Sequence, residues 1–258
     1  IISKQVMISR SKLIKGKQMH ISLLTCSRGR PKGLKRMIET AQDLSSGENR
    51  ISFENYIDFD DASYPEYEEE LKVFEGMENT ITLGIPQSVS KSWNELANLA
   101  INNEAEILMM GNDDLIFNTQ NWDKLLIEET KKFPDQIYCM WFNDGINGAN
   151  HGAFPIISSK WFHTVGHFTP GIFNFFFNDT WIFDIAKRVG RTHYIPHVTA
   201  KHLHFSTKES QADQTTLRNR TGENAGMHSE DQIIFNNTKV FRMGAADRLQ
   251  SAISSFDL

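Results

Sequence analysis

The sequence predicts an α/β domain with a doubly wound, mostly parallel β-sheet and a helical C-terminal extension. Three times in succession, within about 90 residues after position 19, an apolar strand-like run is followed by a helix-like run and a further strand. Strands connected through helices in this way lie parallel in one sheet. Ligands bind such a sheet at the carboxyl ends of its strands, so the polar residues that follow each strand are the first candidates for function.

The composition agrees with one large globular domain. The chain has 258 residues, of which 40% are hydrophobic and 23% charged, and this supplies enough apolar side chains for a sizeable core. The net charge of −5 gives no general attraction to nucleic acid or anionic lipid, so we expect no nucleic-acid partner. No window approaches about 18 uncharged apolar residues, which predicts no transmembrane segment and no signal peptide.

The cysteines and the N-terminal residues give indications of the cellular compartment of the protein. Cys26 and Cys139 each lie inside an apolar strand-like run, where a disulfide framework is not expected. Residues 1–18 carry five of the 27 basic residues and no acidic residue, and we interpret them as an extension, either a leader, an arm or a cloning remnant. These observations predict a cytoplasmic protein whose folded domain begins at Met19.

The first β–α unit has the clearest signals. The strand HISLLTC begins at His20 and ends in the loop SRGRP, and Pro31 then takes the first helical position, which proline favours. Apolar residues follow at helical spacing from Leu34 to Ala41, and Gly47 ends the segment.

The second and third units repeat this order. The strand-like run ISFENYIDFDD ends in acidic residues, Tyr67 and Leu71 mark a short helix, and the strand ITLGIP comes next. Ser92 and Glu95 form a capping box at the start of the following predicted helix, whose apolar stripe leads to the strand EILMMG.

Beyond residue 115 the predicted elements are less regular. We expect a helix over 122–132, the strand IYCMWF, a glycine-rich loop over 143–151 that can act as a lid, and the strand FPIIS before a short helix. The aromatic loop FTPGIFNFFF precedes a helix capped by Asn178 or Asp179, and the strand THYIPHVTAKHLH follows. A polar stretch from 206 to about 229 then separates the α/β domain, residues 19–205, from a closing helical region within 206–258.

Asp113 and Asp114 are candidates for binding a cation. They follow the apolar run from Ile107 to Met110 and so lie at the carboxyl end of a central strand. Adjacent carboxylates repel each other unless a cation is present, and Mg²⁺ or Mn²⁺ takes one or two such ligands together with phosphate oxygens. The alternative is a solvated turn in which an aspartate caps the next element.

Two further strand ends converge on the same edge. Arg28 and Arg30 follow the first strand, and Asp58, Asp60 and Asp61 end the second. Guanidinium groups suit a diphosphate, and an aspartate accepts hydrogen bonds from a base or a ribose hydroxyl. With a metal between carboxylates, these groups outline a nucleotide-binding site. Taken singly, each of these aspartates is an ordinary turn residue.

The ordered series of segments resembles the GT-A fold glycosyltransferases, specifically the family 2-like enzymes that use nucleotide-diphosphate sugars. ISLLTCSRGRPKGLKRMIE is similar to the first strand, nucleotide-binding loop and helix of that family, IDFDD to its base-contacting acid, and MMGNDDLIF to its DxD metal motif. NDTWIFDIAKRVG resembles the helix that carries the catalytic base of inverting members. YIPHVTAKHLHF resembles the strand that ends in a metal- or phosphate-contacting histidine, and the whole resemblance covers residues 20–205.

This resemblance implies a metal-dependent, inverting glycosyltransferase that moves a sugar from a UDP- or GDP-sugar donor to a hydroxyl of a glycan or other acceptor. Asp179 would be the general base, for which a plain helix N-cap is the alternative. Two positions depart from the family pattern, because Asn112 or Gly111, depending on the register, replaces the first aspartate of DxD, and Asn178 replaces the glutamate of the Glu-Asp pair. The implied nucleotide contacts are Thr25, Ser27, Arg28, Arg30, Asp58 and Asp60, and the implied ligands of Mn²⁺ or Mg²⁺ are Asp113, Asp114, His204 and His202.

Other functions stay open on the sequence alone. A non-catalytic nucleotide- or carbohydrate-binding module could keep the fold with the altered motifs, and an interaction protein could use the polar tail. A sugar-phosphate nucleotidyltransferase would need a GxGxR loop, whereas SRGRP has one glycine. A zinc site is suggested by His193, His197, His202 and His204, but only the last two form a pair on one strand face.

Overall fold

The computed structural model describes residues 18–204, 217–218, 221 and 224–256. Its strands are β1 His20–Ser27, β2 Arg50–Asp58, β3 Asn79–Gly84, β4 Ile107–Gly111, β5 Leu115–Phe117, β6 Cys139–Asn143, β7 Ile156–Ser158 and β8 Thr192–His202. Its helices are α1 Pro31–Asp43, α2 Tyr64–Leu71, α3 Val89–Asn102, α4 Trp122–Thr130, α5 Ser159–Val165, α6 Asn178–Arg188, α7 Met227–Asn237 and α8 Lys239–Phe256.

The strands form one eight-stranded sheet in the order β3-β2-β1-β4-β7-β6-β8-β5. β1 pairs in parallel with both β2 and β4, and β2 pairs in parallel with β3. Strand β7 is antiparallel to β4 and β6, while β8 is parallel to β6 and antiparallel to β5. The predicted mostly parallel sheet is confirmed, and its shared strand direction brings the carboxyl ends of β1, β2, β4 and β8 to one edge.

Strand β8 contains an irregularity that matters for the site. Phe142 of β6 pairs with Ile195, but the next residue, Asn143, pairs with Thr199, so three residues of β8 have no counterpart in β6. Pro196 lies in this bulge, where its missing N–H costs no ladder hydrogen bond. The bulge redirects the last residues of β8 toward β5.

Helices cover both faces of the sheet, which explains why the central strand β4 is buried in every position. On β1, Leu23 packs into the core beneath α1 and α2, and Leu24 packs into the core beneath α3, α5 and α6. Leu249 and Ile253 of α8 are buried in this second core. The predicted C-terminal helical extension is therefore packed against the α/β body.

Most predicted elements are present. Three details differ from the prediction, namely the N-termini of α3 and α6 and the presence of one additional short strand. Helix α3 is capped by Ser88, whose hydroxyl accepts the Lys91 N–H, so the capping box at Ser92 and Glu95 is wrong. The N-cap of α6 is Phe177 in the left-handed conformation, so neither Asn178 nor Asp179 takes that position. The short strand β5 was not predicted, because three residues are too few for a periodic pattern.

Some predictions fall outside the described residues, namely those on residues 1–17 and on much of the polar stretch that follows residue 204. Within the ranges that are described, no helix is long and apolar enough to cross a membrane. Cys26 and Cys139 are both free thiols.

Candidate active site

The carboxyl edge of the sheet opens into a cavity of about 970 Å³. Its walls are the ends of β1, β2, β4 and β8, the starts of α1, α3 and α6, and the aromatic segment before α6. Arg28, Asp114 and Asp179 all line it. The structure thus brings the three predicted strand ends and the start of α6 to one place, as the order of the sheet requires.

Arg28 is held by the acidic end of β2. Its Nη1 lies 2.7 Å from Asp58 Oδ2 and 2.5 Å from Asp60 Oδ1. Burial raises the pKa of Asp58, and the hydrogen bond from Arg28 opposes that rise. The same guanidinium lowers the pKa of the exposed Asp60, which lies outside the cavity wall. The Gly29 N–H donates to Asp61 Oδ2 over 2.7 Å, and this hydrogen bond connects the loop after β1 to the loop after β2.

Asp113 lines the cavity but is almost completely buried. Its side chain is 3% exposed. Ser27 donates to its Oδ2 over 2.7 Å and Arg30 Nη1 donates to its Oδ1 over 3.0 Å. Tyr67 completes this network, because its hydroxyl lies 2.7 Å from Ser27 Oγ and accepts the Arg30 N–H. Burial raises the pKa of Asp113 to about 6, against the opposing charge of Arg30.

Helix α1 approaches Asp113 through a glycine. A Cβ on Gly33 would lie 2.6 Å from the Asp113 carbonyl oxygen, which is a severe clash. The absence of a side chain therefore lets the first turn of α1 rest directly on the backbone of Asp113. This contact positions Arg30, the residue immediately before α1, beside the Asp113 carboxylate.

Asp114 presents its carboxylate differently. Its Oδ2 lies 3.3 Å from His202 Nε2 and 3.7 Å from Arg30 Nη1, while its buried Oδ1 has no hydrogen-bond partner among the described residues. The pairing of Leu115 with His202 across β5 and β8 places this carboxylate beside the end of β8. The His202 and His204 rings are 5.0 Å apart and both line the cavity.

These groups fit a divalent cation of the Mn²⁺ or Mg²⁺ type. An unpartnered carboxylate oxygen and a nearby imidazole are ligands that Mn²⁺ accepts, and such ions complete their shell with water and phosphate oxygens. No cluster of three or more His, Cys, Asp or Glu side chains suited to a metal occurs in the described ranges. Asp114 and His202, with His204 close by, are therefore the residues that would hold the ion, and Asp113 is committed to Ser27 and Arg30.

Two other predicted groups lie elsewhere. Thr25 is fully buried within the sheet against Gly111 and is not among the residues that line the cavity. His193 and His197 lie beside Glu129 of α4, at a distance from His202 and His204 along β8. The four clustered histidines therefore divide into two pairs.

Asp179 lies in the first turn of α6 and lines the same cavity as the arginines. Its Oδ1 accepts the Thr180 N–H over 2.7 Å, and its Oδ2 lies 2.7 Å from His151 Nε2. The hydrogen bond with Asp179 raises the pKa of His151, and burial of the ring opposes this. The His151 ring also packs edge-on against Phe183, one turn further along α6.

His151 is a functional candidate that sequence reasoning missed. It appears in the sequence only as the end of the glycine-rich loop, 28 residues before Asp179. The signal that could have found it is its position in the glycine-rich loop, because a histidine in a loop can form a hydrogen bond with a carboxylate on another element. Tyr56 and Trp93 also line the cavity without having been predicted to do so.

The comparisons with known proteins identify the fold. No family model matches the sequence, and no curated protein matches it. Among solved structures, the chain is similar to mannosyltransferase PcManGT from Pyrobaculum calidifontis in complex with GDP-Man and Mn²⁺, with 10% identity and a TM-score of 0.55 over 92% of this chain and 76% of that one.

Two further solved structures have the same architecture. S. aureus TarS 1-349 in complex with UDP has 8% identity and a TM-score of 0.54, over 93% of this chain and 91% of that one. GalNAc-T7 with UDP, GalNAc and Mn²⁺ has 10% identity and a TM-score of 0.57, over 73% of this chain and 44% of that one. At such identities the likeness establishes the fold alone, and the chain has the GT-A-like fold of these glycosyltransferases.

Proposed function

We propose that this protein is a glycosyltransferase that transfers a sugar from a nucleotide-diphosphate donor to an acceptor hydroxyl with inversion at the anomeric carbon. One observation carries the proposal. On a GT-A-like fold, a single cavity is lined by Arg28 and Arg30, by Asp114 beside His202, and by Asp179 at the start of α6. These are the groups that a diphosphate, a divalent cation and a nucleophilic hydroxyl require.

The arginine side of the cavity would bind the donor. Arg28 and Arg30 line the cavity at the end of β1, where Asp58 and Asp113 hold their guanidinium groups in place. Asp58 offers carboxylate oxygens to the hydroxyl or amino groups of the nucleoside. A Mn²⁺ or Mg²⁺ ion held by Asp114 and His202 would supply positive charge against the diphosphate leaving group. The structures with GDP-Man and Mn²⁺, and with UDP, GalNAc and Mn²⁺, support this assignment.

Asp179 would act as the general base. Asp179 lines the cavity, and its carboxylate accepts the proton of the acceptor hydroxyl as the hydroxyl oxygen bonds to the anomeric carbon. The bond from that carbon to the diphosphate breaks on the opposite side, and the nucleoside diphosphate leaves with the electron pair. Attack opposite to the leaving group inverts the configuration. His151 orients the base through its hydrogen bond to Oδ2.

Donor binding and turnover test the proposal together. UDP- and GDP-sugars are titrated by calorimetry with and without Mn²⁺, and release of nucleoside diphosphate is then followed with a panel of sugar acceptors. We expect one donor class to bind more tightly with Mn²⁺ and to be consumed only when an acceptor is present. Tight binding without turnover would identify a non-catalytic binding module, and the lack of any metal-dependent nucleotide binding would overturn the proposal.

A further inference from the structure

Helix α7 presents one face to the aromatic loop, residues 173–177, that leads into α6. The face consists of His228, Asp231 and Phe235, which are spaced as one side of a helix. His228 packs against Phe176 and Phe177, with ring centroids 4.9 and 5.2 Å apart. Phe235 stacks on Phe177 at 5.4 Å. The C-terminal region of the chain therefore supports the segment immediately before Asp179.

Asp231 forms the polar part of this contact. Its carboxylate accepts three successive backbone N–H groups, from Asn174 at 2.9 Å to Oδ1 and from Phe175 and Phe176 at 2.9 and 2.8 Å to Oδ2. The side chain is 0% exposed. Hydrogen bonds from N–H groups to a buried carboxylate are stronger than neutral ones, because water cannot replace them and the acceptor is charged.

The three N–H groups belong to the wall of the cavity. Residues 174–179 all line it, so the loop that Asp231 binds faces the same space as Asp114 and Arg30. The Asn174 carbonyl accepts the Val89 N–H, which fixes the loop to the start of α3 as well. Phe177 then adopts the left-handed conformation, with φ of 66°, and turns the chain into α6. The direction of the first turn of α6, and with it the Asp179 carboxylate, depends on this path.

We propose that Asp231 is a positioning residue that fixes the aromatic loop and thereby the place of Asp179 and the acceptor side of the cavity. The role of Asp179 in this statement rests on the proposed function, whereas the fixing of the loop does not. Asp231 itself touches no reacting group. Because the three hydrogen bonds of Asp231 go to residues 174–176, we expect their loss to leave the ion pairs of Arg28 and Arg30 in place.

The test replaces Asp231 by asparagine. The amide has one acceptor oxygen and an NH₂ group that faces backbone N–H donors, so it cannot make all three hydrogen bonds. The matched control is Glu230→Gln, which removes the same charge from the same turn of α7 at an exposed position. We expect D231N to lower kcat about 10- to 100-fold through misplacement of the base, while the Kd of the nucleoside diphosphate stays within about 2-fold of the wild type. E230Q changes neither quantity.

Amide hydrogen exchange gives a second reading that needs no turnover. We expect exchange over residues 173–180 to accelerate in D231N, and exchange over β1 and α1 to stay as in the wild type. If the wild type transfers no sugar but this local acceleration occurs, the proposed function fails and the fixing of the loop by Asp231 stands. If D231N does not fold, kcat, donor Kd and amide exchange are measured for Asp231→Glu instead. We expect the same pattern, because the longer side chain keeps the charge but shifts the loop. Unchanged kcat and exchange, or an equal loss of donor binding and kcat, would overturn the inference.

Discussion

The two sides of the cavity are held in place by different interactions. On the arginine side, charged side chains from neighbouring strands pair with one another, Arg28 with Asp58 and Arg30 with Asp113. On the Asp179 side, the loop is held by backbone N–H groups bound to Asp231 and by packed aromatic rings. The first arrangement depends on titratable pairs and the second on hydrogen bonds that are buried from water.

This difference teaches that the two sides can be disturbed separately. Charge pairs at partly exposed positions respond to pH and salt, whereas a fully buried carboxylate that binds backbone groups does not respond to salt in the same way. Changes on the arginine side are therefore expected to alter nucleotide and metal binding. Changes on the Asp179 side are expected to alter the rate of transfer with donor affinity preserved.

The largest expected effect is that of Asp179→Asn. Loss of a general base lowers kcat by about 10²- to 10⁴-fold, because the amide cannot accept the hydroxyl proton. Steady-state kinetics together with donor calorimetry measure both quantities. The exposed Asp247→Asn on α8 serves as the matched control. A kcat like that of the wild type, or a loss confined to donor affinity, would show that Asp179 is not the general base. It would also contradict the separate effects that we expect from the two sides of the cavity.

Asp114→Asn is expected to act on the other side of the cavity. Because Asp114 would supply a carboxylate ligand of the ion, removing this carboxylate is expected to weaken Mn²⁺-dependent nucleotide binding about 10- to 100-fold. Titration of Mn²⁺ at a fixed concentration of nucleoside diphosphate measures this loss. Asp43→Asn, at the exposed end of α1, provides the control for the loss of one charge. Unaltered Mn²⁺ dependence would show that the ion binds elsewhere.

Asp113→Asn is expected to change how the free energy of unfolding depends on pH. The folded pKa of Asp113, about 6, lies above its ordinary value of 3.8, so the native state binds the proton more tightly than the unfolded state does. This contribution to stability is fully present below pH 3.8 and is lost as pH rises toward 6. Relative to the variant, the wild type is expected to lose up to about 3 kcal/mol of unfolding free energy over this window.

Urea unfolding from about pH 4 to pH 7 measures that difference. Asp60→Asn is the counterpart, because Arg28 lowers the pKa of Asp60 and the dependence therefore takes the opposite sign. A slope of the same sign for both variants would contradict the burial of Asp113 as the cause of its raised pKa.

The smallest expected effect is that of His151→Gln. The pair with Asp179 raises the pKa of His151, so the protonated ring stabilises the fold. This stabilisation is fully present below about pH 6.5 and is lost as pH rises through the higher folded pKa. We expect the wild type to exceed the variant by up to about 1 kcal/mol at low pH and by less in alkaline buffer. Thermal unfolding over this range checks the trend, and a pH-independent difference would show that the ring acts by packing alone.

The arginine side could be predicted from the sequence because its signals are local. Each of its polar groups directly follows an apolar strand, and a parallel sheet brings strand ends together whatever the details of packing. The sequence did not reveal that Asp113 is buried, and its assignment as a metal ligand stays a prediction. Adjacent aspartates look alike in the sequence, and only the approach of α1 through Gly33 decides that Asp113 faces Ser27 and Arg30 while Asp114 faces His202.

The Asp179 side could be predicted only in part. The helix that carries Asp179 has a clear apolar stripe, but its N-terminal turn uses Phe177 in a conformation that no propensity favours for phenylalanine. That conformation is maintained by contacts with α7, 51 or more residues further along the chain. His151 and Asp231 belong to this set of long-range contacts, and a single sequence carries no local pattern that announces such contacts.

The bulge in β8 limits which length changes this chain can tolerate. Side chains alternate between the two faces of a strand, so one residue inserted between Thr199 and His202 would turn both imidazoles away from Asp114 and toward the opposite face. The same insertion beside Pro196, where β8 is already unpaired and exposed, would leave the phase of the later residues unchanged. Related chains that differ in length within β8 are thus expected to carry the extra residue before Val198.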